Sequence, residues 1–152
     1  MQFIKANILK LLSLSLVCFH ILGTSPTKGR LNVIINGIKS QQGSVRVAIY
    51  NSSETFLDEK KFVFSNSTNV GKTPQVQLSF DVPYGTYSVS CYHDVNNDTK
   101  LDKSSFGFPV EPYAFSGNDI AKWRKPTFNE TKFTLQEPQL NLNLQLKHWK
   151  ER

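Results

Sequence analysis

Cysteine is scarce. Only Cys18 and Cys91 occur among 152 residues, too few for the bridged framework of a small disulfide-built secreted domain. Glycine and proline are thin as well, 8 and 7 residues without a period, which excludes collagen-like and low-complexity chains. Acidic residues are outnumbered 12 to 18. The basic residues are nonetheless scattered, and only Lys122-Trp123-Arg124-Lys125 and the tail from Lys147 to Arg152 form clusters. A nucleic-acid binder shows a denser stripe or a motif, so no nucleic-acid partner is expected. No segment carries a sustained i, i+3, i+4, i+7 apolar stripe, which argues against a helical bundle. Ser104 and Ser105 have no G-x-S-x-G elbow around them, and His93 and His148 lie too far apart in sequence for zinc-ligand spacing. Catalysis is therefore not the expected class. What is present is a 39% hydrophobic content, enough to build a core rather than a disordered chain.

The first residues read as an address. Lys5 and Lys10 stand without an acid, the apolar run LLSLSLVCFHIL follows from Leu11, and Gly23, Thr24 and Ser25 come next. This is the order of a secretory signal peptide, and the run falls short of the roughly 20 residues that a spanning helix needs. Val17 before Cys18 does not suit lipidation. Removing residues 1–23 leaves 129 of the 152 residues (24–152, one domain), takes the charge from +6 to +4, and leaves Cys91 alone. No other run is long enough to span, so no transmembrane segment is expected after removal. The expected location is periplasmic or extracellular.

The rest alternates with period 2. Leu31, Val33 and Ile35 form one run, and Val45, Val47 and Ile49 a second. Val76, Leu78, Phe80 and Val82 lead through Pro83-Tyr84-Gly85 to Tyr87, Val89 and Cys91. Phe133 and Leu135 form a short run, and Leu140, Leu142, Leu144 and Leu146 the cleanest. Residues 61–64 read as a short strand and 55–61 as one helical turn. Alternation buries one face of each strand, and a single sheet cannot cover its own apolar face. The chain thus predicts an all-β, antiparallel two-sheet sandwich of about seven strands, immunoglobulin-like or transthyretin (prealbumin)-like, with its core in 31–146. Alternation stops over residues 94–131. Phe106, Phe108, Tyr113, Phe115, Trp123 and Phe128 fall in this loop, too aromatic for disorder. The loop is expected to fold over an end of the sandwich as a cap.

That loop opens with an acidic run. Asp94, Asn96, Asp98 and Asp102 occupy positions 1, 3, 5 and 9 of a calcium loop, and Lys100 at position 7 would give its carbonyl. Thr99 stands where such a loop wants glycine, and Ser105 where a bidentate glutamate would close it. Two readings stay open: a weak Ca2+ site completed by Glu111, or an Asx-turn loop whose carboxylates accept backbone N–H bonds. His93 and Asp94 are a poor acid–base pair, because adjacent strand residues point to opposite faces. Glu111, Tyr113, Phe115 and Trp123 are candidates for a ligand platform, with the underside of a cap as the plain alternative. Sequons at Asn51, Asn66, Asn97 and Asn129 mark surface positions.

The runs Val82-Pro83-Tyr84-Gly85-Thr86-Tyr87, His93 to Asp102, and Phe106-Gly107-Phe108-Pro109-Val110-Glu111-Pro112-Tyr113-Ala114-Phe115-Ser116 stand in a recognisable order. With residues 43–50 and Pro126-Thr127-Phe128, they resemble the bacterial secreted domain of unknown function number 2141. The resemblance covers most of residues 31–146 and departs at Thr99, where that family usually has glycine. It implies a small exported β-sandwich of the bacterial envelope and lends no reaction. The expected function is a non-catalytic binding or structural module, with a protein, peptide or glycan of the cell envelope as partner. The alternative is an envelope enzyme using Asp94, Asp98, Asp102 and Glu111.

Overall fold

A computed structural model describes residues 27–117 and 124–151. The expected signal peptide, Cys18 and Trp123 lie outside the described residues.

Two sheets face one another. The three-stranded sheet has the order β4-β1-β8, from β1 (Lys28–Asn36), β4 (Gln75–Pro83) and β8 (Gln139–Gln145). The larger sheet runs β3-β2-β5-β6, from β2 (Ser44–Tyr50), β3 (Phe64–Asn69), β5 (Gly85–Asp94) and β6 (Tyr113–Phe115). β7 (Phe133–Leu135) pairs with the start of β5. The predicted sandwich is the observed one. All pairs are antiparallel except β1 with β8, which run parallel from Arg30 beside Gln139 to Asn36 beside Gln145.

The alternation that marks each strand also fills the core. Leu31, Val33 and Ile35 of β1 meet Leu78, Phe80 and Val82 of β4 on one side. Val45, Val47 and Ile49 of β2 meet Val89 and Cys91 of β5 on the other. Each fully buried aliphatic side chain stabilises the fold by about 1.5–3 kcal/mol over an exposed one. Cys91 is a buried thiol among these groups and packs as a small hydrophobe.

Three local expectations are corrected. Of residues 61–64 only Phe64 is in a strand; β3 begins there and is largely exposed, because an edge strand needs no apolar alternation. Residues 55–61 form successive turns rather than a helical turn, with Asp58 N–H on the Thr55 carbonyl and Lys61 N–H on that of Asp58. Leu57 sits there at φ +62°, which no right-handed helix accommodates. The 94–131 loop is not wholly irregular. It carries β6, a Lys103–Pro109 bridge and the short helix α1 (Phe128–Thr131). It also covers the outer face of the larger sheet rather than an end of the sandwich, as the cavity described below shows.

Candidate functional site

Residues between the core positions of β2 and β5 point outward. Arg46, Ala48 and Tyr50 stand beside Tyr92, Ser90 and Ser88, and β6 adds Tyr113 beside Tyr92 and Phe115 beside Ser90. This outer face is the floor of a cavity of about 500 Å³, within the range of small-molecule sites. Leu57 and Phe62, Leu101, Lys103 and Phe108, and Arg124 and Lys125, from three separate stretches of the chain, also line it. Trp149 stacks on Phe108 at 4.1 Å with the rings 2° from parallel. Phe56 meets Tyr50 edge-on at 5.5 Å and Phe128 at 6.0 Å, so the floor continues into a packed aromatic cluster.

The walls are held by polar contacts. Lys103 pairs with Pro109, and Gly107 N–H bonds the Ser104 carbonyl at 2.8 Å, forming a hairpin-like arm with Phe106 exposed at its tip. After β6, the Ser116 hydroxyl donates to the Thr131 carbonyl at 2.6 Å and accepts Val89 N–H at 2.8 Å. Arg124 makes a two-point ion pair with Glu130 at 2.6 and 2.8 Å. That guanidinium, then the N–H and hydroxyl of Thr127, hold the Glu130 carboxyl down to about 2.

Asp94 stands at the end of this floor, two residues beyond Tyr92 on the same face of β5. It is fully buried and accepts the Arg46 Nε–H at 2.6 Å, together with the N–H groups of Thr99 at 3.0 Å and Asp98 at 3.1 Å. Burial opposes its charge, but Arg46 and the two N–H groups outweigh that and hold the carboxyl below the usual range. Asp94 thereby fixes Arg46 in the cavity floor. Glu111 is also buried and accepts Val95 N–H at 2.9 Å and Asp102 N–H at 3.1 Å, closing the base of the acidic loop. Burial pushes its carboxyl up despite those bonds, and the nearby Asp102 and Asp94 charges add to the rise.

The remaining loop oxygens are engaged by nitrogen donors. Asn96 Oδ1 accepts Asp98 N–H at 3.1 Å, Asp98 Oδ1 accepts Lys100 N–H at 2.9 Å, and Asp102 Oδ2 accepts the Asn96 amide at 3.1 Å. Among the described residues no three His, Cys, Asp or Glu side chains form a group able to hold a metal. A cation would have to take Asp94 from Arg46, whereas the Asx-turn arrangement already satisfies the carboxylates. Thr99 adopts φ +73°, the left-handed geometry that glycine would take without strain. Thr99→Gly is accordingly expected to raise stability by about 1 kcal/mol in urea unfolding.

The candidate ligand residues divide. Tyr113 and Phe115 line the cavity, Glu111 does not, and Trp123 is outside the described residues. Arg46, Tyr50 and Tyr92 join them without having been singled out in the sequence. Their signal was their place on the polar side of each alternation. His93 points into the sandwich and donates through Nε2 to the Gln42 carbonyl at 2.8 Å. It is separated from Asp94 as the strand register requires. All four sequon asparagines are exposed.

A family model described as "Uncharacterized protein conserved in bacteria (DUF2141)" matches residues 33–143. The chain belongs to the DUF2141 family. No curated protein and no solved structure matches it. The DUF2141 match spans from within β1 to within β8. It therefore contains the cavity floor, the acidic loop and the hairpin-like arm, while Trp149 lies beyond its end.

Chemically the cavity offers stacking, hydrogen bonding and positive charge. Tyr92 is pushed up to about 12, chiefly by burial, and burial likewise raises Tyr50. Both phenols are neutral near pH 7 and can donate hydrogen bonds. No histidine is among the lining residues described.

Proposed function

We propose that this DUF2141 protein is an exported, non-catalytic binding module of the bacterial envelope, periplasmic or extracellular, whose ligand lies on the outer face of the larger sheet. The observation that carries the reading is the cavity of about 500 Å³ over Arg46, Tyr92, Tyr113 and Phe115. Aromatic faces stack on planar groups and on the C–H faces of sugars, and Arg46 is already oriented by Asp94. The leader-like order of residues 1–23 supports export. Asp94 and Glu111 are committed to internal donors, which favours binding over an enzyme built on the loop carboxylates.

The test uses the full chain expressed in a bacterium and recovered from periplasm or medium with residues 1–23 removed. Melting against peptides, oligosaccharides and organic acids should reveal at least one class that raises the midpoint. Ligand at a hundred times its Kd contributes about 2.7 kcal/mol. Ala48→Trp, which fills the floor, should abolish that rise while keeping a cooperative transition. The binding reading fails if no class stabilises the wild type.

Calcium gives a separate check. Because N–H donors already satisfy the loop carboxylates, melting in calcium and in chelator should give the same midpoint. A calcium-dependent rise that disappears in Asp98→Ala would instead establish the cation as the loop's organiser.

A further inference from the structure

We propose that the cavity selects ligands having an apolar, planar body and a single acidic group. The inference rests on the binding reading above and adds the ligand's chemistry. Four cationic residues, Arg46, Lys103, Arg124 and Lys125, line the cavity against one carboxylate, Glu59. Two of the four are partly neutralised: Asp94 pairs with Arg46 and Glu130 with Arg124. Lys103 and Lys125 have no ion pair among the described residues and outnumber Glu59, so the lining keeps a positive surplus.

Arg46 carries the argument further. Asp94 engages it through Nε alone, and among the described residues its two Nη groups make no hydrogen bond. A guanidinium held by Nε and open at Nη is an oriented fork for carboxylate, sulfonate or phosphate oxygens. Arg46 lies beside Tyr92 in register, and Tyr92 lies beside Tyr113. An acid group at the fork would thus place the rest of its molecule over the aromatic floor. A neutral sugar would leave the surplus charge unanswered, and a cation would be repelled.

The experiment uses two dyes with the same aromatic body, 8-anilinonaphthalene-1-sulfonate and its neutral parent N-phenyl-1-naphthylamine. Fluorescence titration of the folded wild type should show the sulfonate binding at least about tenfold more tightly, with an advantage that shrinks as salt is added. Arg46→Lys keeps a charge beside Asp94 but loses the fork. It should remove most of the difference, and Lys103→Gln with Lys125→Gln should reduce it severalfold. Binding of the neutral dye should hold steady in all of these, whereas Ala48→Trp should abolish binding of both dyes. Equal affinity for the two dyes overturns the acidic-ligand proposal and leaves the cavity reading standing. Failure of both dyes to bind overturns both readings. Sulfonate binding that survives Ala48→Trp lies elsewhere on the molecule and overturns the proposal as well.

Discussion

Asp94→Ala is expected to lower the stability of the fold by about 3 kcal/mol, the low end for breaking a buried ion pair, because Arg46 is half-buried while Asp94 is fully so. The substitution leaves Arg46 without its counter-charge and the Thr99 N–H without its acceptor, while the Asp98 N–H keeps only Asn96 Oδ1. For a domain of this size the melting midpoint should fall by about 10–20 °C. Asp94→Asn should lie between, since one oxygen still accepts. The same contacts set an acid dependence. The Asp94 carboxyl is held below its ordinary 3.8, so its contribution is complete above that pH and is lost as pH falls through the lowered value. Glu130, lowered from 4.5 to about 2 by Arg124 and Thr127, acts in the same direction. Glu111 runs the other way. Burial raises it above 4.5, so protonation favours the folded state as pH falls through that raised value toward 4.5. Urea unfolding should therefore show a slight gain or a plateau on mild acidification, then a steep loss below pH 3.8. In Asp94→Ala the steep portion should be shallower.

Gly43→Ala should cost about 3 kcal/mol, combining about 1–2 kcal/mol for an L-residue in left-handed geometry with about 1–3 kcal/mol for displaced packing. Gly43 has φ +85°, and an added Cβ would run into the Asp94 carbonyl oxygen and lie 2.7 Å from Val95 Cα. Both obstacles are backbone, so no rotamer change relieves them. They lie where β5 gives way to the acidic loop, so the same variant should loosen the Arg46–Asp94 pair. Gly71→Ala is the internal control, because nothing lies within 4 Å of its Cβ position and its φ is not positive. It should melt within about 0.5 kcal/mol of the wild type, as surface substitutions commonly do.

Strands with one wet and one buried face were legible, because period 2 is a direct record of that asymmetry. β1, β2, β4, β5 and β8 all announced themselves this way. β3 did not, because FSNSTN lies at an edge and buries almost nothing. β6 has three residues, too few to show a period. Strand direction leaves no mark on alternation, so the parallel β1–β8 pair could not be read from it. The acidic loop was legible as two possibilities because calcium loops and Asx turns both use oxygen side chains at alternate positions. The partner that Asp94 takes in the structure, Arg46, lies 48 residues earlier in the chain, where no local pattern could point to it. In the cavity, Tyr113 and Phe115 stood out as part of an aromatic concentration. Arg46 and Tyr92 did not, since only the three-dimensional course of the loop decides which sheet face it covers.

The placement of β1 has a consequence for the order of assembly. β1 lies at the centre of its sheet, between β4 and a parallel β8 that follows far later in the chain. Until β8 arrives, β1 has one open edge, a row of unpaired N–H and carbonyl groups that another chain can use. The smaller sheet therefore closes only once β8 is present, and a chain stopped short of residue 139 leaves its central strand as a template for aggregation.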